Sequence, residues 1–451
     1  MGDAGMAAEA AYVEMASGAP TEDALAPGQS SMWRVVGNFV NTVVGAGIVG
    51  LPYTLKRGGF WSGLAMMGFA CVMTHYSVSL MLRSAIALRV NTYEHLAQAS
   101  FGAWGFYSVT FSLLVFDFGA CLSYLIILAD SMSRALAQAW PDLGRHDGVL
   151  HDAVVLCASP FLLALVLQRD LSSLERFSFL SVLLVCLLSG YVAWGYATRD
   201  VPGAVEPMAS EPLPLLSPGI FSAFGTIAFA FVNNDAAFLL YNTLRRPSER
   251  RWVKLSRASF ALALAICALF AAFGYLSFRD EVSDNLLNDY ASDDPAVMAV
   301  RVAYAVTMML TFPTTFFVVR HVCNELLFRH TEDHGTVQAN STARHLLLTL
   351  PIFAASVAIT IARVSLGFVM SFTGGVAAVL LAFVVPPAVW IKTNPSSYSP
   401  IVWRNTGAVW KSCVELGPAL FMLAFGMIMM IVSPVQAVVC EFWPDVSKTL
   451  C

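Results

Sequence analysis

The sequence predicts an all-α polytopic membrane protein of about eleven helices,. Composition is the first observation: of 451 residues, 57% are apolar and 12% charged, and the mean hydropathy is +0.67. Soluble domains run at about 45–50% apolar and about 25% charged. The second is spacing, because apolar stretches of the roughly 20 residues needed to cross hydrocarbon follow one another with only short polar connections. The third is that the first and sixth stretches are interrupted by residues for which an unbroken lipid-facing helix has no use. Two broken helices at corresponding positions of two five-span halves suggest an inverted repeat, five plus five, with one span added. A net charge of −4 offers no basic field, so nucleic acid is excluded as a partner,.

The spans are expected near 34–55, 61–82, 106–131, 149–167, 174–198, 219–244, 256–278, 296–320, 345–362, 366–391 and 408–433. Ahead of them, residues 1–30 hold Asp3, Glu9, Glu14, Glu22 and Asp23 with no Lys or Arg, the composition of a disordered acidic tail,. That stretch has neither the basic start of a signal peptide nor a myristoylation pattern, since Met6 stands where Ser or Thr is needed,. The membrane domain is read as 31–435 and a short extracytoplasmic tail as 436–451.

Orientation follows from the excess of Lys and Arg in cytoplasmic loops. With the amino terminus in the cytosol, 17 of the 26 basic residues fall on that side, the decisive group being the cluster at 245–257. The acidic loop 279–295 then lies outside. The sequon Asn340-Ser341-Thr342 falls in a cytosolic loop and is expected to stay unmodified. Cys71, Cys121, Cys157, Cys186, Cys267, Cys323 and Cys413 lie in or beside apolar runs and read as small buried hydrophobes,. Cys440 and Cys451 stand clear of the spans and are close enough in sequence to pair, although nothing requires it,.

Span 1 carries Asn41, Gly45, Ala46, Gly47, Gly50 and Pro52. A helix in lipid gains from such residues where its backbone opens or another helix approaches closely. An opening frees amides at the start of one half-helix and carbonyls at the end of the other, suited to a carboxylate and a hard cation respectively. Asn41, one turn before Gly45, can turn its amide oxygen to the same place as a sodium ligand, or serve as interhelical glue. Span 6 carries Asn233-Asn234-Asp235 after Phe229, three polar residues that must face protein or water,. They mark a second break or a sealed polar patch.

Span 8 presents Thr307, Thr311, Thr314 and Thr315 on one face beside Pro313, which is expected to loosen the helix,. Thr311 and Thr307 are candidate cation ligands, against the alternative that each bonds its own i−4 carbonyl. Span 3 holds Asp117 deep in the hydrocarbon, with Asp130 and Arg134 at its end as an expected i, i+4 ion pair,. Asp117 and Asp235 have no basic neighbour in sequence and are candidate coupling groups for a cation, a proton or a basic substrate, or else neutral carboxyls acting as glue. His75 reads as a packed core residue. Arg245, Arg246, Arg250 and Arg251 read as topology determinants beside anionic headgroups,.

With these residues in place, the chain resembles the amino acid/auxin permease superfamily, and within it the sodium-coupled neutral amino acid transporters. The resemblance rests on Asn41, Gly45, Gly47, Ile48, Leu51, Pro52 and Tyr53, then on Ser123 and Tyr124 through Asp130. It continues with Phe229-Ala230-Phe231, Tyr241-Asn242-Thr243-Leu244-Arg245 and Phe273-Gly274-Tyr275, and ends with Thr311-Phe312-Pro313, Arg320, Thr373-Gly374-Gly375 and Pro386. It implies the LeuT-type fold, symport of amino acids with sodium, a cytosolic amino terminus, sodium at Asn41 and the span 8 threonine, and the substrate carboxylate at residues 45–47. Asn233-Asn234-Asp235 departs from the triplets the family commonly shows, and the family's cysteine pair is missing between Asp200 and Pro218.

The expectation is therefore a secondary active transporter of small neutral amino acids, with Gly45, Ala46, Gly47, Phe229, Asn233 and Asp117 for substrate, Asn41, Thr311 and Thr307 for sodium, and Asp235 with Asp117 for coupling. No cofactor is expected beyond sodium, with the proton as second candidate ion. The membrane is the plasma membrane or an endolysosomal or vacuolar one. The alternatives are a non-transporting amino acid sensor of the same fold, or a proton-coupled amino acid exporter or importer of an endolysosomal or vacuolar membrane. An enzyme is not expected, since no His-x-x-x-His or Ser/His/Asp set occurs in the spans.

Overall fold

The computed structural model describes residues 31–144, 147–168, 178–198, 212–245, 247–291, 294–328, 342–394 and 406–443. Among the described residues every regular element is helical. Span 1 comprises α1 (Met32–Val44), a 3-10 segment (Ala46–Gly50) and α2 (Leu51–Gly58); α3 (Phe60–Leu88) is span 2, and α4 (Tyr93–Phe101) a short connecting helix. Spans 3 to 5 are α5 (Ala103–Ala139), α6 (Asp147–Val166) and α7 (Ser178–Thr198). Span 6 is divided into α8 (Ile220–Phe231) and α9 (Asn234–Asn242), followed by α10 (Glu249–Phe278), α11 (Pro295–Phe328) and α12 (Thr342–Ile361). Span 10 begins as α13 (Leu366–Thr373), widens into π-helical turns and ends as α14 (Val385–Thr393), and α15 (Thr406–Phe442) closes the chain. Among the described residues ten helices are long and apolar enough to cross a membrane, and the bent pair in span 1 makes eleven.

Burial sorts these spans into centre and rim. The most apolar window of span 6 is 83% buried, and those of α5 and span 10 are each 72% buried. In α6 and α7 the share is 22%, and Leu156, Phe161, Leu183 and Leu187 face outward, where only lipid can cover them,. Span 6 is thus the axis of the bundle, clasped by α2, α3, α13 and α15. Its seam with span 10 is possible because Gly225 and Gly374 bring backbone against backbone, with no room for a Cβ at either,. Span 10 widens just before Pro386 and Pro387, which lack the N–H that would continue an i−4 ladder,.

Span 1 bends by 41° at Gly45, whose φ of −13° and ψ of −135° are far from helical. Pro52 then starts α2 at a position where its missing N–H is one of the unpaired ones anyway,. In span 6 the interruption is Val232, extended at ψ 137°, and Asn233. Both breaks lie where the sequence marks them, and Asn234 and Asp235 form the first turn of α9.

Other expectations are corrected. Span 3 runs to Ala139, span 8 to Phe328 and the last helix to Phe442, past the 435 boundary of the expected tail. Hydropathy registers only the part of a helix in hydrocarbon, whereas hydrogen bonding continues into water. Pro313 sits inside α11, which stays helical from Pro295 to Phe328. Cys157 and Cys186 are exposed on the rim instead of buried. Cys440 is disulfide-bonded, and Cys451 lies outside the described residues. So do the acidic tail 1–30, residues 340 and 341 of the sequon, and 199–211 of the loop that lacks the cysteine pair. Asp130 is not paired with Arg134; its Oδ2 accepts from Asn285 Nδ2 (3.2 Å) and Asn288 Nδ2 (3.1 Å), and His151 Nε2 lies 3.7 Å from its Oδ1.

Those two asparagines belong to a lid, residues 279–291, laid across the end of the bundle that carries α2. Four helices hold it. Lys56 Nζ of α2 donates to Val282 O (3.0 Å), Asp130 of α5 takes the asparagines, and Gly367 N of α13 donates to Asp284 Oδ2 (2.8 Å). Arg301 of α11, fully buried, donates through Nη2 to Leu287 O (3.0 Å) and Tyr290 O (2.8 Å). Val282, Leu286, Leu287 and Tyr290 are all buried beneath it.

Candidate functional site

The two breaks meet. A Cβ placed on Gly47 would stand 2.7 Å from Ala230 Cβ and 2.9 Å from Ala230 Cα, so only glycine lets span 1 pass span 6 at this height,. On one side of the contact the 3-10 segment starts at Ala46 with no side chain capping it, so its first amides have no helical acceptor,. On the other side α8 stops at Phe231, leaving its last carbonyls without helical donors,. The start of the 3-10 segment and the end of α8 thus lie together, the first with bare amides and the second with bare carbonyls; Gly45 is not among the bare groups, since its N–H donates to Asn41 O (3.1 Å).

Side chains around this place are short of partners. Asn233 is fully buried, yet neither its Nδ2 nor its Oδ1 has a hydrogen-bond partner among the described residues. Asn234 donates through Nδ2 to Ser77 Oγ (2.9 Å), while its Oδ1 is unpaired. One oxygen each of Asp117 and Asp235, Oδ2 and Oδ1, is likewise buried and unpaired. Buried polar atoms left open in this way are costly and mark a functional role or a place for a ligand or water. Phe116, next to Asp117, packs its ring 5.4 Å from that of Phe229, so α5 flanks the span 6 break directly.

Of the sodium candidates, Asn41 is partly buried and its carbonyl takes the Gly45 N–H (3.1 Å), which fixes it one turn from the break. Thr307 Oγ1 donates to Ala303 O (2.9 Å) and Thr311 Oγ1 to Thr307 O (2.8 Å), the local alternative weighed for both,. Each hydroxyl still keeps lone pairs for a cation. The face of α11 that bears them is brought to the break by Tyr304, whose Oη donates to Gly45 O (3.3 Å). Tyr124 of α5 completes the clasp: its Oη would lie 3.6 Å from a Cβ on Gly45, and it hydrogen-bonds Thr315. Neither tyrosine was singled out as a site residue from the sequence, although a buried tyrosine in a span must find a polar partner for its hydroxyl. His75 is the core residue expected, its Nδ1 3.1 Å from Ser256 Oγ.

On the side away from the lid a cavity of about 120 Å³ opens beside the span 6 break. Asp235 and Ala236 of α9, Leu113 of α5, Glu94 and His95 of α4, and His321 and Glu325 of α11 line it. α4 is anchored there by Tyr93, whose Oη donates to Leu381 O in span 10 (2.6 Å). Burial raises the Glu94 carboxyl above the usual range, against hydrogen bonds from its own backbone and from Thr92,.

A family model described as "Transmembrane amino acid transporter protein" matches residues 28–439. The chain belongs to this family. Membership places it among transporters, not enzymes, as a multi-pass integral membrane protein. A Rattus norvegicus relative, provisionally named sodium-coupled neutral amino acid transporter 11, is 29% identical over 410 residues, spanning 90% of this chain and 86% of its own. Vacuolar amino acid transporter 2 of Saccharomyces cerevisiae is 23% identical over 424 residues, spanning 91% and 84%. A solved Na+-coupled sialic acid symporter in a substrate-bound outward-open state superposes with a TM-score of 0.57 over 97% of this chain and 96% of its own, at 11% identity. That likeness concerns the fold alone, and the fold is the LeuT type.

Proposed function

We propose that this member of the transmembrane amino acid transporter family is a secondary active transporter of small neutral amino acids, driven by sodium and working by alternating access. The observation that carries the reading is the contact of Gly47 with Ala230, which joins the two breaks into one site. Amides at Ala46 and Gly47 would take the substrate carboxylate, as helix amino ends take anions, whereas the Gly45 N–H is already given to Asn41 O. Carbonyls from Phe229 to Phe231 and the Asn233 side chain would take its ammonium group. Asn41, Thr311 and Thr307 would hold sodium, supplying the hard oxygen ligands an alkali cation needs. The lid face would be extracytoplasmic and the α4 face cytosolic, in line with the basic cluster at 245–257. Sodium coupling and neutral substrates are what the rat relative's name states for that protein.

The test is uptake of a panel of labelled amino acids into proteoliposomes under a sodium gradient, a pH gradient, both or neither. The expected result is concentrative, sodium-driven uptake of small neutral amino acids, with sodium dependence lost in Asn41→Ala. Unchanged sodium-driven uptake in that variant would remove the ion assignment. No concentrative uptake under any gradient would favour a sensor.

A further inference from the structure

We propose that a recess in the flank of the bundle, between α5, α11, α12 and α13, holds the methyl end of a phospholipid acyl chain as a fixed packing element. This lipid site is separate from the place where spans 1 and 6 meet, and it stands whether or not the substrate and ion assignments above are right.

The recess is a cavity of about 540 Å³. Phe118 and Gly119 of α5, Val319 of α11, Pro351 and Ala355 of α12 and Thr373 of α13 define it, and among the described residues no charged side chain lines it. Exposure falls along its depth. Pro351 and Ala355 are exposed at the mouth, while Gly119, Val319 and Thr373 are buried at the inner end. A Cβ on Gly119 would stand 2.5 Å from Thr373 Cγ2 and Oγ1, so spans 3 and 10 touch there through a glycine and close the recess from behind,. At the mouth, a proline and an alanine place little side chain across the opening.

Depth decides the occupant. Pro351 stands near the middle of α12, a span of 20 residues from Thr342 to Ile361, so the mouth opens near the midplane of a hydrocarbon layer about 30 Å thick. What meets it there is the methyl end of acyl chains; phospholipid headgroups, and a sterol held by its hydroxyl at the interface, lie further out. Water is no competitor, since an apolar cavity of roughly 150 Å³ already stays dry and takes up benzene instead. Left empty, the recess would deny its lining the dispersion contacts that a flexible chain supplies. The chain would also lie one helix away from the site. Val115, Phe118 and Leu122 face the cavity at helical spacing, whereas Phe116 turns its ring to that of Phe229 (5.4 Å),. At the inner end Thr373 leads into Gly374, where a Cβ would stand 2.9 Å from Phe229 Cβ. The occupant thus sets the spacing of spans 3 and 10 directly behind Phe229.

The experiment uses the full chain in phosphatidylcholine vesicles that carry a photoactivatable diazirine either near the methyl end or near the carbonyl end of one acyl chain, with the cross-linked residues read by mass spectrometry. The methyl-end probe is expected to label Gly119 and Thr373, which are buried behind the mouth, and the carbonyl-end probe to miss them. Ala355→Trp blocks the mouth and should abolish label at those two residues, while label at Leu183 and Leu187 on the lipid-facing rim stays unchanged. Ala355→Leu, a smaller plug at the same exposed position, should weaken the label and gives a second reading should the tryptophan variant fail to fold, which thermal unfolding checks. Equal label at Gly119 and Thr373 from both probes, or label that persists in folded Ala355→Trp and Ala355→Leu, would overturn the proposal. Loss of the label to excess free palmitate or to cholesterol would also overturn it, by giving the recess to a free fatty acid or a sterol instead.

Discussion

The two ends of the molecule treat their charges in opposite ways. At the lid end, Asp130 has two asparagine donors, Asp284 has the Gly367 amide, and Arg301 holds two lid carbonyls. Toward the α4 end, Asp117, Asn233 and Asp235 keep buried atoms open, and Asp235 lines a cavity. A satisfied polar network holds an element in place, whereas unsatisfied groups are tolerated where function needs them. The contrast describes a transporter with one gate docked and its binding groups left open toward the other.

That contrast can be broken at several points. The largest effect is expected at the meeting of the breaks: Gly47→Val drives a side chain into Ala230, where overpacking costs about 1–3 kcal/mol in stability, and counterflow is expected to vanish. Gly47→Ala should be less severe and be partly rescued by Ala230→Gly, measured as counterflow and thermal unfolding of the double variant against the singles. Equal loss in the single and double variants would mean the contact is not what matters.

Unlatching the lid comes next. Arg301→Ala removes the charged hydrogen bonds to Leu287 and Tyr290, each worth about 1.5–3 kcal/mol, so the lid should undock more often. With a reporter at Leu286→Cys, buried under the docked lid, labelling by a membrane-impermeant maleimide should rise by about tenfold or more, tenfold being the equivalent of about 1.4 kcal/mol. Labelling of a rim residue such as Leu143→Cys, already exposed, should not change.

A smaller effect is expected of pH on the same reporter. Burial raises the carboxyls of both Asp284 and Asp289 above the ordinary range, against hydrogen bonds from Gly367 and Ser283 respectively. The docked lid therefore binds protons that an undocked lid, with ordinary carboxyls near 4, would release. Docking is favoured as pH falls and weakened as pH rises through the raised values, so labelling at Leu286→Cys should slow on acidifying the lid side. Asp284→Asn, which cannot titrate, should flatten that dependence.

The order of spans was legible because run length alone identifies a crossing, and both breaks were legible because Gly45, Gly47 and Asn233-Asn234-Asp235 are residues that hydrocarbon penalises. The remaining site residues depend on contacts between distant segments. Tyr304 reaches Gly45 across 259 positions, and Asp130 meets Asn285 rather than the Arg134 one turn away. Glu94 looks like an ordinary loop acid until α4 folds under the bundle. The hydroxyls of Thr307 and Thr311 bond locally, which sequence spacing leaves open.

The most direct test of the account is an experimental density map of the protein at saturating substrate and sodium. The account predicts an amino acid seated between the amides at Ala46 and Gly47 and the carbonyls of Phe229 to Phe231, with both spans interrupted on either side of it. Density for the amino acid elsewhere, or span 6 continuous through Val232 and Asn233, would contradict it.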